Sequence, residues 1–85
     1  MMEEEIGVVE HYFNHISVAA ITLTKGSLQV GDTIHVVGAT TDFTQPVHSM
    51  EIDRQQIDHA SPGQSVGIKT TDRVREGDVV YKVTS

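Results

Sequence analysis

The stretch Leu28–Ile34, which reads LQVGDTI, joins a compact turn to the start of an apolar strand. The same combination recurs in Ala60–Ile68 (ASPGQSVGI) and in Val74–Val80 (VREGDVV). Each turn contains a glycine where a positive φ is needed, a conformation that glycine adopts without strain. These glycines are Gly31, Gly63 and Gly77. Three turn–strand units in 85 residues predict a chain of short strands.

Outward from these stretches, β-branched and apolar residues predict six strands, and no segment has the period of a helix. The predicted strands are Ile6–Phe13, Ile16–Thr24, Thr33–Val37, Val47–Asp53, Ser65–Lys69 and Val79–Val83. Residues 39–45 are expected to form a polar loop that becomes strand near Phe43, and residues 54–61 a connector. Closing a sheet removes its exposed edges. The sequence therefore predicts an all-β fold, a small closed six-stranded barrel that is mainly antiparallel.

One domain is expected over residues 1–85, with residues 1–5 as a flexible acidic N-terminus. In the second strand, alternation assigns Ile21 and Leu23 to the core and Thr22 and Thr24 to the surface. The predicted core consists of inward-facing apolar residues: Val9, Val18, Ile34, Met50, Ile52, Val66, Ile68 and Val80.

The composition excludes several classes of function. Twelve acidic residues against six basic ones give a formal charge of −6, and the basic residues are scattered along the chain. Because a phosphate backbone is bound by clustered cations, free nucleic acid is not expected as a general partner. The chain has no cysteine, which excludes disulfides and thiolate metal sites. No apolar run approaches the roughly 20 residues that cross a bilayer, and the acidic start is unlike a signal peptide. We therefore expect a cytoplasmic protein that does not bind membranes.

The three turn–strand stretches occur in the order that they have in domain II of elongation factor Tu and related translation GTPases. Over most of residues 6–83 the chain resembles this family, and it is similar to small stand-alone proteins described as translation elongation factor-like. A related barrel also occurs as a C-terminal module of collagenase-like peptidases. The resemblance implies the barrel fold and the role of an accessory unit.

Two features of the translation factors are missing. Their second strand usually ends in Gly-Arg-Val-Glu-Arg-Gly, whereas this chain has Ile21–Gly26 (ITLTKG), in which only Lys25 is basic. The factors use surfaces near that run for RNA or for their GTPase domain, so the resemblance does not carry these contacts over. The phosphate-binding loop Gly-x-x-x-x-Gly-Lys-Ser/Thr is also absent. We expect neither GTP hydrolysis nor a bound nucleotide or other cofactor.

Five histidines raise the question of a metal site. His11 and His15 flank a predicted turn, so in one interpretation they face each other across a hairpin with Glu10 or Glu51 as a third ligand. In the other interpretation they are solvated strand residues. We favour the second and predict no metal site.

The residues predicted to contact a partner are Tyr12, Thr22, Thr24, Lys25 and Phe43. One of the neighbours Tyr12 and Phe13 must face outward, where an aromatic ring can anchor a protein or stack a base. Phe43 is either a contact residue of a recognition loop or a plug for one end of the barrel. The two threonines are expected to form a flat, neutral surface.

No serine stands in a nucleophile motif, and a barrel of this size is not expected to enclose a deep pocket. We therefore predict that the protein is not an enzyme. The sequence favours a non-catalytic, stand-alone binding module that engages a protein partner. Two alternatives stay open: an RNA-binding accessory module connected with translation, tRNA or the ribosome, and an accessory domain to a separate enzyme. A small metal- or ligand-binding enzyme is kept as a further class only because of the histidines.

Overall fold

The computed structural model describes residues 2–84, which form ten β-strands. The strands are β1 (Met2–Phe13), β2 (Val18–Leu23), β3 (Leu28–Gln29), β4 (Thr33–Val37), β5 (Asp42–Pro46), β6 (Met50–Ile52), β7 (Gln55–Ile57), β8 (His59–Ala60), β9 (Ser65–Lys69) and β10 (Val79–Thr84). The all-β prediction is confirmed, but the predicted number of six strands is wrong. Within residues 2–84 no helix has the length and apolar character that a membrane span requires.

The additional strands lie where the sequence predicted loops. Strand β5 begins at Asp42, close to the point near Phe43 where the polar loop was predicted to become strand, and the two- and three-residue strands β3, β7 and β8 occupy predicted connectors. The predicted strand Val47–Asp53 begins only at Met50. Val47 is nevertheless buried, because its amide and carbonyl bond to Asp32 and Gly31 across the neighbouring turn. Strands β3 and β8 pair with each other from distant parts of the sequence, and two-residue strands leave little local pattern.

Eight strands form one antiparallel sheet in the order β5-β4-β10-β1-β2-β9-β6-β7, and β3 pairs with β8. Within residues 2–84 no backbone ladder joins the end strands β5 and β7. The predicted closed barrel is therefore not found. The turn glycines behave as predicted, with φ of 101° at Gly31, 96° at Gly63 and 92° at Gly77.

Strand β1 is the longest element and pairs with β10 on one side and β2 on the other. Its residues 2–5 lie in register with β10, from Met2 opposite Thr84 to Glu5 opposite Tyr81. This pairing corrects the expectation of a flexible N-terminus for residues 2–5, while Met1 lies outside the described residues. Two register shifts, at Glu5/Gly7 and at Val9/His11, bend the strand and change which side chains face inward.

The core consists of one cluster of apolar side chains, each at most 2% exposed. Its members are Ile6, Val9, Ala19, Ile21, Leu23, Leu28, Ile34, Val36, Val47, Met50, Ala60, Val66, Ile68, Val74 and Val80. Six of the eight predicted core residues belong to it. Ile52 packs partly buried against the cluster. Val18 is the wrong prediction, because β2 buries Ala19 and Ile21 and so turns Val18 outward.

The gap between β5 and the chain that follows β9 is bridged by the side chain of Gln45. Its Nε2 donates to the carbonyl oxygen of Lys69 at 2.9 Å, and its Oε1 accepts from the amide of Thr71 at 2.7 Å. Gln45 is only 6% exposed. A buried amide with both functions satisfied thus replaces a backbone ladder at this point.

We predict that Gln45→Leu lowers the free energy of unfolding by about 2 kcal/mol, because two hydrogen bonds of about 1 kcal/mol each are lost at a buried position. Urea unfolding followed by circular dichroism measures the change. The matched variant Thr44→Val, on the exposed face of the same strand, should change stability by less than about 0.5 kcal/mol. Equal losses in the two variants would contradict the bridging role.

His35 links three strands on the outer side of the sheet. From β4, its Nε2 lies 2.6 Å from Asp42 Oδ1 on β5, and its Nδ1 lies 2.9 Å from Glu3 Oε2 on β1. Carboxylates only accept hydrogen bonds, so this geometry is satisfied on both sides when both ring nitrogens carry protons, which is the imidazolium form. The hydrogen bonds to Asp42 and Glu3 raise the pKa of His35 from its ordinary value of 6.5.

This geometry predicts a pH dependence of stability. Below about pH 6.5 His35 is protonated in both the folded and the unfolded chain, and the link contributes fully. As the pH rises through 6.5, the unfolded chain loses the proton first, so the free energy of unfolding falls until the raised pKa is passed. Unfolding measured from pH 6 to pH 9 should show this fall in the wild type and in a His59→Gln control, and His35→Gln should abolish it. A His35→Gln profile that still follows the wild type would contradict the prediction.

Candidate functional site

The structure decides which of the adjacent aromatics Tyr12 and Phe13 faces outward. Tyr12 lies opposite Ala19, whose side chain is in the core, and the tyrosine packs partly buried against that core. Phe13 lies opposite Val18 on the outer face and is 47% exposed. Tyr12 therefore does not lie beside Thr22, and the exposed ring is the one that the sequence did not select.

Alternation in β2 is as predicted, with Ile21 and Leu23 fully buried. The expectation of a neutral outer surface is wrong at Thr22, because its hydroxyl donates to Glu10 Oε1 at 2.9 Å. Thr24 is exposed and follows the end of β2. Lys25 is exposed beside it, 3.4 Å from Glu5 Oε2. This part of the surface thus carries charge as well as hydroxyl groups.

Phe43 lies on β5, near one end of the strand order, and packs partly buried against the core. Since no closed barrel is found, the interpretation of Phe43 as a plug for a barrel end does not apply, and its role as a contact residue stays a prediction. The five predicted contact residues therefore face different sides of the molecule and do not form one continuous surface. Their roles in binding stay predictions.

The two candidate metal-binding histidines have different partners. His11 Nδ1 lies 3.0 Å from Glu76 Oε2, and His15 Nδ1 lies 2.7 Å from Asn14 Oδ1. Within residues 2–84 no group of three or more His, Cys, Asp or Glu is arranged to hold a metal ion. The outcome for metal binding in solution stays a prediction.

A groove of about 480 Å³ lies on the outer face of the sheet, between the β1–β2 hairpin and the β6–β7 hairpin. We call it the hairpin groove. It is lined by Phe13, Ile16, Val18, Ala20, Glu51, Ile52, Asp53, Arg54, Ser65, Val66 and Gly67.

Small side chains form the floor of the hairpin groove. Ala20 on β2 lies opposite Gly67 on β9, and Gly67 lies opposite Glu51 on β6. A Cβ atom built on Gly67 would meet side-chain carbons of Glu51 and Val18 at 3.4 Å, and the nearest backbone atom, the carbonyl oxygen of Glu51, only at 3.8 Å. Close backbone approach therefore does not explain this glycine. Its effect is to leave the floor open between larger neighbours.

One wall of the hairpin groove is the tip of the β1–β2 hairpin. Phe13 and Ile16 are 47% and 58% exposed, and both line the groove. The turn between them is closed by the Ile16 amide, which donates to the Phe13 carbonyl at 3.2 Å. Ser17 follows with a φ of 57°, in the left-handed region. The tight turn thus displays two large apolar side chains that are each about half exposed, with the Phe13 ring packed edge-on against His11 at a centroid distance of 4.5 Å.

The other wall is the two-residue turn between β6 and β7. Asp53 and Arg54 have φ of 51° and 66°, the pattern of a type I′ hairpin turn. Glycine or asparagine usually occupies these positions, and an arginine there is strained by about 1 kcal/mol. The strain persists at the rim of the groove, where such outliers are often connected with binding.

Glu10 is fixed at the rim by two hydroxyl groups. Thr22 Oγ1 and Ser65 Oγ donate to its Oε1 at 2.9 and 3.1 Å. Ser65 also lines the groove, so the carboxylate lies next to it. Glu10 sits at the Val9/His11 register shift, which directs its side chain across β2 toward β9.

The sequence did not predict this site. Its only local signal is Gly67, a glycine inside a predicted strand. The other contributions come from four strands and two turns, and only the register of the sheet brings them together.

We predict that Ile16→Ala changes the free energy of unfolding by less than about 0.5 kcal/mol, because the side chain is mostly solvated. The matched variant Ile21→Ala should lower it by about 2–5 kcal/mol, since that isoleucine is fully buried. Denaturant unfolding of both variants measures the difference. A similar loss in both would show that Ile16 is a structural residue.

Known proteins support the fold and its context. The solved C-terminal domain of a putative U32 peptidase from Geobacillus thermoleovorans superimposes with a TM-score of 0.87 over 95% of this chain and 93% of that domain, at 21% identity. Its selenomethionine variant gives 0.84 over 91% of this chain and 96% of that domain, also at 21% identity. At this identity, the similarity shows the fold alone.

Two sequence relatives are larger proteins. An uncharacterized protease of Methanocaldococcus jannaschii is 42% identical over 78 residues, which cover 91% of this chain and 19% of the protease. A collagenase of Porphyromonas gingivalis is 32% identical over 72 residues, covering 84% of this chain and 20% of the collagenase. The chain thus spans about a fifth of the length of these relatives.

The family described as Elongation factor G domain 2 matches residues 14–83. The match confirms the resemblance to domain II of the translation GTPases that the three turn–strand stretches indicated. By this match over most of its length, the chain belongs to the Elongation factor G domain 2 family.

Proposed function

We propose that the protein is a non-catalytic binding module that serves a peptidase of the U32 type, and that it engages the peptidase chain through the hairpin groove. The observation that carries this proposal is the pair of exposed apolar side chains, Phe13 and Ile16, beside a groove with a floor of Ala20 and Gly67. Apolar and aromatic groups around a cavity with a polar rim are typical of protein interfaces.

The relatives suggest the class of partner. In the Methanocaldococcus protease and the Porphyromonas collagenase, the segment similar to this chain is about a fifth of the protein. The remaining four-fifths of such a protein is a natural candidate for the surface that the module contacts. This selects, among the interpretations open from the sequence, the accessory domain to a separate enzyme.

RNA binding is the second candidate, and one feature favours it. A cavity of about 280 Å³ is lined by Tyr12, Arg73 and Arg75 together with Asn14, Val74 and Glu76. An aromatic ring beside two guanidinium groups is a combination that binds nucleotides in single strands. Arg75 Nε, however, already donates to Thr40 Oγ1, and Glu76 adds a negative charge to the same cavity. We therefore rank this function second.

We predict that the chain binds a U32-family peptidase of the same organism in biolayer interferometry, and that Ile16→Asp weakens the interaction at least fivefold. The physical reason is that a charge placed in an apolar contact must be desolvated without a partner. Met2→Asp is the matched control, because Met2 is also an exposed large apolar residue but lies outside the groove.

Three outcomes would contradict the proposal: no binding to any such peptidase, equal weakening by the two variants, or tighter binding to a single-stranded RNA oligonucleotide than to the peptidase. In the last case, a steep loss of affinity with salt and with Arg73→Ala would establish the second candidate.

A further inference from the structure

Glu10 is the charged group that the fold orients most firmly beside the hairpin groove. Both hydroxyl donors, from Thr22 and Ser65, reach the same oxygen, Oε1. Oε2 has no hydrogen bond to the described part of the chain, and the residue is exposed. One oxygen is thus fixed while the other stays available to accept from a second molecule, as in binding sites whose charged groups are held in place before the ligand arrives.

The charges around the groove have an excess of negative sign. Glu51 and Asp53 line it and Glu10 stands at its rim, against Arg54 as the one basic lining residue among residues 2–84. Lys69 lies in the next row of the outer face, opposite Val18. A partner that approaches the Glu10 side therefore gains from bringing a cation, and loses from bringing a carboxylate.

We propose that the hairpin groove recognises a protein segment in which an apolar side chain stands next to a lysine or arginine. The apolar side chain lies on Ala20 and Gly67 between the two hairpins, and the cation pairs with Glu10 Oε2. Glu10 is thereby the specificity-determining residue of the site, and Thr22 and Ser65 are the residues that position it. The inference rests on the proposed function of the groove as a protein-binding site, and it names the chemistry of the bound segment.

Two small probes of equal size test this recognition without any knowledge of the partner. The ¹⁵N-labelled chain is titrated with 4-phenylbutylamine, an apolar group joined to a cation, and separately with 4-phenylbutyrate. Amide chemical shifts of Ala20 and Gly67 report occupation of the groove. We expect the amine to shift these amides and to bind about fivefold more tightly than the carboxylate, in line with the energy of a solvent-exposed ion pair. Equal affinities, tighter binding of the carboxylate, or no shifts at these amides would overturn the proposal.

Variants of the site distinguish the effect of the Glu10 charge from the effect of its fixed position. Glu10→Gln should remove the preference for the amine, whereas Asp58→Asn, which removes the same charge from an exposed residue that does not line the groove, should keep it. The double variant Thr22→Val, Ser65→Ala keeps the charge of Glu10 but removes the two hydrogen bonds that hold its carboxylate in place. In this variant the preference for the amine over the carboxylate probe should fall about twofold or more. A preference that survives Glu10→Gln would overturn the role of Glu10, and one unchanged in the double variant would overturn the role of its positioning residues.

The probe experiment tests the recognition chemistry and the peptidase experiment tests the proposed function, so a negative result in one does not decide the other. Binding of the amine to the groove with a preference that depends on Glu10 supports the recognition chemistry even where no peptidase binds. If a peptidase binds and Ile16→Asp weakens that binding, but the amine and the carboxylate probe bind equally well, the proposed function is supported and this inference is rejected.

Discussion

The register shift between Val9 and His11 is the constraint on which the arrangement of the outer surface depends. On one side of it, Val9 lies opposite Ile21, and both are buried. One residue is then skipped, so that His11 lies opposite Ala20 and Tyr12 opposite Ala19. Without the shift, strict alternation from Val9 would place Tyr12 outward and Phe13 inward. The bulge reverses these positions, exposes Phe13 beside the groove, and directs Glu10 across β2 to Thr22 and Ser65.

This constraint also explains what the sequence could predict. Where the signal is local, prediction succeeded: Gly31, Gly63 and Gly77 adopt positive φ, and the alternation of Ile21 with Thr22 is found in β2. Where the outcome depends on a partner strand, prediction was incomplete. Strand β5 pairs with β4 from Asp42 to Pro46, whereas the sequence predicted a polar loop that becomes strand only near Phe43. The hydrogen bonds of Gln45 could not be predicted either, because a glutamine in a predicted loop gives no indication of which backbone groups it will bind.

The candidate site was less predictable than the fold because it has no local motif. Its floor joins Ala20, Gly67 and Glu51 from three strands, and its walls are two turns that approach each other only in the folded sheet. The predicted contact residues were chosen for their type, as aromatic rings or hydroxyl groups. The structure assigns several of these groups other positions: Tyr12 and Phe43 pack against the core, and the hydroxyl of Thr22 is engaged by Glu10. Residue type alone therefore does not predict these contacts within the folded chain.

Membership of a translation-factor family does not by itself assign the surface to RNA, because a fold can host unrelated sites. The outer face of β2 in this chain presents Val18, Ala20 and Thr22, and the neighbouring face of β9 presents Ser65, Gly67 and Lys69. Lys69 and Arg54 are the cations on this side, against the carboxylates of Glu10, Glu51 and Asp53. A phosphate backbone would therefore meet more anions than cations there. The same face has the small side chains, the exposed hydrophobic rim and the oriented acceptor that a protein segment requires. The backbone of the family is thus retained, while the side chains of this face are those on which the proposed binding of a protein segment rests.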